Sequence, residues 1–435
     1  MKNKRNFLKK TASLAYRQRK TLFIGIIFSV TSLILAGCGG NGATEYALQI
    51  DPSQYSGREV PVHAKVTLAE NLQNTPVEEL AVTLQSEDGG YKNVPGQIIE
   101  GENGQHELWW ILPESGNTNP STWTATVTQD DSGNRSSFQW EDTPGQHLDL
   151  LYDGKRVFRY DYALDDRFEK GKTLTARNRS FYEIYDLEGE NKITNDGVEG
   201  TEYPHHRGIM IGARRVGFEG AELSFWGMED LTVQRHIEFR KNVAGPVLAH
   251  TEALIQWNDS TGRTIIEEVR QARIFKQAAP NILVLDFTSD LKAVAGPVTI
   301  DGDPDHGGVQ FRAHNDVAAG APGSKKATYH SVQNIDSLTR ETTADHDLPW
   351  VAMDFGLNNK TYSVLQMDHP ENPGAMWSAY RDYGRFGPFF QDELDENETL
   401  TVQYRFWISE SEMPDREVLS SMYESYTNPV DVQVK

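Results

Sequence analysis

Cysteine is nearly absent from this sequence, since the 435 residues contain only Cys38. An intrachain disulfide framework and a cysteine-rich zinc or iron–sulfur site are therefore excluded. Basic residues are scarce relative to acidic ones, with 42 Lys and Arg against 63 Asp and Glu and a formal net charge of −21. Because phosphate binding depends mainly on Lys and Arg, this balance argues against a nucleic-acid partner.

Long apolar runs are missing after Ala36, and the one such run, from Leu22 to Ala36, follows a basic segment without acidic residues. This order is typical of a secretory signal, and its ending, Leu35-Ala36-Gly37-Cys38, resembles a bacterial lipobox. We therefore predict a lipoprotein signal peptide at 1–37, acylation of Cys38 and a tether at 38–45. We expect the protein to be a membrane-anchored lipoprotein of the cell envelope that faces the periplasm or the cell surface. An uncleaved N-terminal anchor helix is the alternative.

Helical periodicity is also rare, apart from a segment between Pro414 and Asn428 that predicts a short C-terminal helix. Short strand patterns separated by turn residues favour an immunoglobulin-like sandwich at 46–142. Strand patterns continue through 143–435 and favour one large antiparallel β-sandwich. The predicted fold class is therefore all-β, with two sandwiches in sequence.

Two histidine-containing motifs in the second region are candidates for chemistry. The first is Tyr203-Pro204-His205-His206-Arg207-Gly208, and the second is an acidic turn, Asp301 to Asp305, followed by His306. An imidazole can serve as acid or base near neutral pH, and a guanidinium can bind hydroxyls or an anion. The alternatives are a surface-loop cluster for the first motif and a merely solvated turn for the second.

Two carboxylate-containing segments add candidate bases. Prolines fix the segment Asp368-His369-Pro370-Glu371-Asn372-Pro373 and hold its polar groups in place. Glu268 and Arg270 share one face of a predicted strand, an arrangement usually explained by a surface pair. We predict a histidine as general acid and Glu268 or Asp368 as general base. The candidate catalytic residues are His205, His206, Glu268, His306, Asp368 and His369.

Aromatic residues lie close to these motifs in the sequence. Flat rings beside Arg, Asp and Asn suit a sugar, whose C–H face stacks on a ring and whose hydroxyls take hydrogen bonds. A carbohydrate is therefore the predicted ligand. The candidate substrate-binding residues are Arg207, Trp226, Asn372, Trp377 and Arg381.

A divalent metal is the weaker alternative for these histidines. His205 or His206 together with His306, His369 and nearby carboxylates would make an open three-ligand site. Adjacent histidines in a strand point to opposite faces, however, and no His-Glu-x-x-His spacing occurs. The cofactor is therefore left unknown.

Taken in order, these segments resemble the bacterial family named methane oxygenase PmoA-like, over residues 146–430. The matching elements are Phe181 to Gly189, Tyr203 to Gly208, Phe225-Trp226-Gly227, Glu267 to Arg270, His306 to Arg312 and Asp368 to Pro373. The family name is not to be taken literally, because no apolar run of spanning length follows Ala36. The resemblance implies an exported protein linked to carbohydrate use, with a sandwich similar to the galactose-mutarotase type.

The leading hypothesis is a lipid-anchored, carbohydrate-active enzyme of the envelope, with hydrolysis, epimerisation and elimination left open. A non-catalytic glycan-binding lipoprotein and a structural envelope protein are the alternatives. Convergence of His205, His206, His306 and His369 in one pocket would favour the enzyme.

Overall fold

The computed structural model describes residues 43–51, 58–101, 104–114, 120–129, 137–164, 178–197, 200–303, 305–333 and 347–435. The predicted signal peptide and Cys38 lie outside the described residues. The described strands belong to one compact unit, Ala36–Val434. In the described part of the chain, no helix has the length and apolar character needed to cross a membrane.

The first sheet has seven antiparallel strands in the order β2-β5-β4-β3-β6-β1-β27. Its strands are β1 (Thr44–Asp51), β2 (Val60–Val66), β3 (Leu80–Ser86), β4 (Val94–Glu100), β5 (His106–Leu112), β6 (Ser121–Gln129) and β27 (Asp431–Val434). Along β1, buried residues alternate with more exposed ones, so that Tyr46, Leu48 and Ile50 face the same core. The last strand of the chain thus completes the sheet formed by the first six.

Two antiparallel eight-stranded sheets form the large sandwich. The first contains β7 (Phe138–Thr143), β8 (His147–Tyr152), β9 (Lys155–Asp161), β10 (Phe181–Ile184), β11 (Ile209–Ala213), β19 (Gly307–Arg312), β23 (Met376–Arg381) and β24 (Arg385–Phe389). The second contains β14 (Val233–Ala244), β15 (Leu248–Asn258), β16 (Thr264–Phe275), β17 (Asn281–Ala293), β20 (Lys325–Ser331), β21 (Trp350–Leu357), β22 (Lys360–Asp368) and β26 (Thr399–Ser409).

A small four-stranded sheet, two α-helices and one 3-10 helix (Val77–Glu79) complete the described elements. The strands are β12 (Arg215–Phe218), β13 (Ala221–Leu223), β18 (Val298–Asp301) and β25 (Asp392–Leu394), and the helices are α1 (Asn315–Ala319) and α2 (Arg416–Thr427). The all-β class, the antiparallel sandwiches and the short C-terminal helix predicted from the sequence are confirmed.

Aromatic side chains join the two large sheets. The ring of Tyr182 lies 4.8 Å from that of Phe158 in its own sheet and 5.9 Å from that of Phe287 in the other. All three are buried. Each fully buried aromatic or aliphatic side chain contributes about 1.5–3 kcal/mol to folding, so this layer is a rigid base for the loops at the sheet ends.

The first sheet packs directly on the large sandwich. The Trp109 ring lies 5.4 Å from that of Phe275, and Gln97 Oε1 accepts hydrogen bonds from the backbone N–H groups of Val247 and Leu248 at 3.0 and 2.9 Å. β7 crosses the predicted domain limit at 142–143 and pairs with β8. The domain limits themselves stay predictions.

Candidate functional site

A cavity of about 200 Å³ is lined by side chains from four loops and from the end of β23. It contains five of the residues predicted from the sequence, including three histidines. The lining residues are Tyr203, His205, His206, Arg214, Trp226, Glu229, Asp305, His306 and Arg381. Convergence is therefore observed for His205, His206 and His306, although more than ninety residues separate the first two from the third.

A larger groove, about 310 Å³, lies elsewhere, between the start of β2, β17 and α2. None of the site residues predicted from the sequence lines it. Its Arg405 is already paired with Asp286 through a 2.6 Å contact. The smaller histidine-lined cavity is therefore the stronger candidate despite its volume.

The loop that carries His205 and His206 is a tight turn fixed by backbone geometry. Tyr203 has φ +53° and the His206 N–H donates to the Tyr203 carbonyl at 2.9 Å. Gly208, at φ +42°, approaches the backbone so closely that a Cβ there would lie 1.9 Å from the Tyr182 carbonyl oxygen. The Asn195 amide holds the His206 carbonyl at 2.6 Å.

Because this segment is a turn, the expectation that adjacent histidines diverge is wrong here. The ring centroids of His205 and His206 lie 4.2 Å apart, and both rings line the cavity. His206 is flanked by Tyr203 at 5.3 Å and by Trp226 at 5.4 Å. The two imidazoles and two flat rings thus form one continuous wall.

Several nitrogen atoms of this wall are buried without a hydrogen-bond partner among the described residues: Nδ1 of His205, both ring nitrogens of His206 and Nε1 of Trp226. His206 is 3% exposed. An unsatisfied buried polar group costs about 1–3 kcal/mol. Such a cost is recovered when a ligand supplies the missing partners.

Both adjacent histidines are held in the neutral form. Burial, reinforced by the positive charge of Arg179, lowers the pKa of His205 to about 3. Burial and the nearby Arg385 place the pKa of His206 well below its usual value. Neither ring therefore carries an imidazolium proton at neutral pH, and both are suited to hydrogen bonding rather than to the predicted role of general acid.

His306 has the geometry of an oriented acid–base group. Its Nδ1 lies 2.7 Å from Oδ1 of Asp303 and 3.5 Å from Nη1 of Arg214. The short contact to the carboxylate assigns the proton to Nδ1, which leaves the lone pair on Nε2. An Asp–His pair of this kind fixes the tautomer and orientation of a base.

The two cavity carboxylates differ in how fully they are engaged. Asp305 contacts Nη2 of Arg381 at 3.1 Å and accepts hydrogen bonds from Tyr380 and, at 3.3 Å, from Ser378. Glu229 accepts from the Ser224 hydroxyl at 2.8 Å. Asp305 therefore positions Arg381, whereas Glu229 retains more acceptor capacity.

Arg207, predicted as a substrate ligand, is buried and does not line the cavity. Its Nε donates to the Pro204 carbonyl at 3.1 Å, and its guanidinium lies 5.7 Å from the Phe181 ring centroid. Trp377 is likewise core, since it is 0% exposed and its Nε1 donates to the Leu348 carbonyl at 2.9 Å. Both residues support the fold instead of contacting this cavity.

Glu268 lies in the core of the sandwich. It is fully buried and forms a two-bond ion pair with Arg270, at 2.6 and 2.9 Å. It also accepts hydrogen bonds from Trp257 at 2.8 Å and Ser289 at 2.9 Å. The expected surface pair is thus an interior network, and Glu268 does not reach the cavity.

Asp368, His369 and Asn372 form a separate group that does not line the cavity. Asn372 bridges Asp368 and both backbone groups of Gln403, with contacts of 2.5 to 2.7 Å. Burial raises the pKa of Asp368 to about 8. The His369 ring lies 5.6 Å from Tyr426 of α2. This segment fastens the end of β22 to β26 and α2.

Sequence reasoning missed Asp303, Arg214 and Glu229 as site residues. Two signals were available: Asp303 lies three residues before His306, and Glu229 lies two residues after the Phe225-Trp226-Gly227 motif. Arg214 had no such signal, because only the end of β11 brings it to His306. As for a metal, no cluster of three or more His, Cys, Asp or Glu able to hold an ion is found among the described residues.

Comparison with known proteins identifies a family but no activity. Residues 147–424 match the model described as a family of unknown function (DUF6807). Nothing indicates the methane oxygenase PmoA-like family, so that resemblance is wrong. No curated protein matches the sequence.

Among solved structures, the chain is similar to a candidate kojibiose phosphorylase from the human microbiome. The sequence identity is 7% and the TM-score 0.28, with 67% of this chain and 36% of that chain covered. The chain therefore spans about a third of the length of that protein. A similarity of this level carries no argument about function.

Proposed function

The protein belongs to DUF6807, whose model matches more than half of the chain but brings no known activity, and we propose that it is an acid–base enzyme acting on carbohydrate in the histidine-lined cavity. The observation that carries the proposal is the contact of Asp303 with His306, whose ring lines the same cavity as His205, His206 and Trp226, with their nitrogens that lack a partner among the described residues. One group is arranged to move a proton, and the others are arranged to bind polar atoms.

Proton abstraction fits the cavity better than hydrolysis by two carboxylates. Glycoside hydrolysis ordinarily needs one carboxyl group as acid and a second as nucleophile or base. Of the two carboxylates here, Asp305 is already bound by Arg381, Tyr380 and Ser378. We infer that Nε2 of His306 removes a proton from a sugar carbon, as the first step of an epimerisation or an elimination.

The remaining wall residues would bind and orient the sugar. Neutral His205 and His206 each offer one N–H and one lone pair, which suits hydroxyl groups. The indole N–H of Trp226 adds a donor, and the exposed ring of Tyr203 offers a flat surface for sugar C–H groups. The volume of about 200 Å³ lies below the ~300–1,000 Å³ of drug-sized ligand pockets, so a single sugar unit is the expected occupant.

The test is hydrogen exchange at sugar carbons. The full-length protein is incubated in heavy water with a panel of monosaccharides and glycan fragments, and NMR follows deuterium incorporation and new products. We expect exchange with at least one sugar, its loss in His306→Gln, and a reduction of about 10²-fold or more in Asp303→Asn, where the ring loses its orienting carboxylate.

His330→Gln is the matched control, because His330 forms the same kind of contact with Asp354, at 2.6 Å, outside the cavity. Exchange should be unchanged in this variant. Equal exchange in His306→Gln and the wild type would overturn the proposal. Sugar binding without exchange in any sample would assign the cavity to glycan binding alone.

We also propose that lipid on Cys38 holds the protein to an envelope membrane. The support is the sequence order of basic segment, apolar segment and lipobox-like ending. Metabolic labelling with a fatty acid should mark the wild type and not Cys38→Ala. Labelling of the variant would contradict this assignment.

A further inference from the structure

We propose that the sugar recognised by this cavity carries an anionic group, a carboxylate or a phosphate, bound beside His205, His206 and Arg214. The inference rests on the proposed function for its sugar, while the anion site rests on the charges around the cavity. Three buried arginines behind the wall, Arg179, Arg312 and Arg385, supply the decisive observation.

These three arginines have only neutral hydrogen-bond partners within the described residues. Arg385 donates to Gln310, Ser378 and Tyr383, at 3.0 to 3.1 Å. Its guanidinium lies 5.5 Å from the Trp226 ring centroid. The partners of the other two are backbone carbonyls and, for Arg179, also the Met210 sulfur.

Arg312 has unused hydrogen-bond donors, since its Nε and one terminal nitrogen are buried without a partner in the described part of the chain. Buried cations ordinarily pair with a carboxylate, because charge removed from water is costly. Arg179, Arg312 and Arg385 do not follow this rule in the described structure. Their positive field therefore reaches the cavity, where it acts on His205 and His206.

The carboxylates near the cavity do not cancel this field. Asp303 is engaged with His306, Asp305 with Arg381, and Glu229 with a serine hydroxyl. The charge of Glu202 also acts on Arg312. Against these four negative charges stand the three buried arginines and the two that line the cavity, Arg214 and Arg381. Since His205 and His206 are neutral, the surroundings carry a net positive charge.

The lowered pKa values of His205 and His206 agree with this positive field. Burial is the main cause of their lowered pKa values, and the next cause is the charge of Arg179 for His205 and of Arg385 for His206. A field that disfavours an imidazolium favours an anion at the same place. The unpartnered nitrogens of His206 and Trp226 are available to donate to anionic oxygens, which form stronger hydrogen bonds than neutral acceptors do.

The experiment compares three sugars that differ at one position: glucuronate, a hexose phosphate and glucose. Isothermal titration of the full-length protein measures each affinity at low and high salt. We expect at least one anionic sugar to bind about tenfold or more tightly than glucose, with an advantage that shrinks as salt rises. Tighter glucuronate binding assigns a carboxylate, and tighter hexose phosphate binding assigns a phosphate.

Arg214→Gln locates the site, with Arg215→Gln as the matched control. The two substitutions remove the same charge from adjacent residues, but Arg215 pairs with Asp301 and does not line the cavity. We expect Arg214→Gln to weaken binding of the anionic sugar about three- to tenfold, and to weaken it by a larger factor than it weakens glucose binding. Equal weakening in both variants would overturn the assigned position, because it would show only an effect of net charge.

Failure of this inference and failure of the proposed function are distinguishable. Equal affinities for glucose and both anionic sugars would overturn the anion site and leave the carbohydrate proposal standing. Inorganic phosphate that binds as tightly as the hexose phosphate, with no sugar bound otherwise, would support the anion site and overturn the carbohydrate proposal.

Discussion

Glu268→Gln is expected to destabilise the fold strongly, because it leaves the guanidinium of Arg270 buried without a countercharge. Both residues are 0% exposed, and two bonds of 2.6 and 2.9 Å join them. Removing one partner of a buried ion pair typically costs about 3–5 kcal/mol. The amide keeps the volume and one oxygen of the carboxylate, so the bonds from Trp257 and Ser289 are only partly lost. We expect a decrease of about 3–5 kcal/mol in the free energy of unfolding.

A double variant separates the uncompensated charge from the lost contacts. In Glu268→Gln/Arg270→Met both charges are gone, and replacing a whole buried ion pair by apolar groups is often close to neutral. We expect this variant to regain at least about half of the loss. Such a recovery would show that the isolated charge, rather than packing, dominates the single variant.

Urea unfolding followed by tryptophan fluorescence and circular dichroism measures these differences. Glu267→Gln is the control, because Glu267 points to the opposite face of β16 and is only partly buried; its effect should stay within about 0.5 kcal/mol. A loss below about 1 kcal/mol in Glu268→Gln would refute the reasoning. Unchanged stability with abolished turnover would instead restore Glu268 as a catalytic base.

Three further outcomes follow from the same structure. Stability should fall as the pH drops from 6.5 towards 3, because the unfolded chain takes up a proton that folded His205, with its pKa of about 3, does not. His205→Gln should remove up to about 1.4 kcal/mol of this loss per pH unit, measured by urea unfolding across the range. Asn372→Ala should lower the free energy of unfolding by about 1–3 kcal/mol without affecting turnover, because it removes the amide bonds to Gln403. Gly208→Ala should lower the melting temperature and abolish turnover, since its Cβ would strike the Tyr182 carbonyl; full activity would contradict the turn geometry.

The strands were predictable from sequence because alternation is a local property. β1 shows this clearly, since its large apolar residues, Tyr46, Leu48 and Ile50, recur at every second position and face one core. The same local pattern placed Glu268 and Arg270 on one face of β16. It did not show whether that face meets solvent or the second sheet, which is why an interior ion pair was expected at the surface.

The site was only partly predictable, because its histidines approach one another through tertiary packing. The motif around His206 and the acidic turn before His306 were found as separate segments, and nothing local joins them. The positive φ of Tyr203 converts the expected strand into a turn and brings His205 and His206 to one wall. His369 shares the composition of a site but belongs to the attachment of α2.

The pairing of β1 with β27 joins two strands that are far apart in the sequence, so the first sheet is completed only after β27 has been synthesised. Asp51 pairs with Asp431, some 380 residues later, so β1 remains an open edge until those residues have emerged. Open edges recruit strands from other molecules. A chain ending before Pro429 would lack β27 together with Val430, Val432 and Val434, which pack against the first core. Two such chains at high concentration would exchange or stack strands at β1, so a nascent or truncated chain is most prone to intermolecular association at this edge.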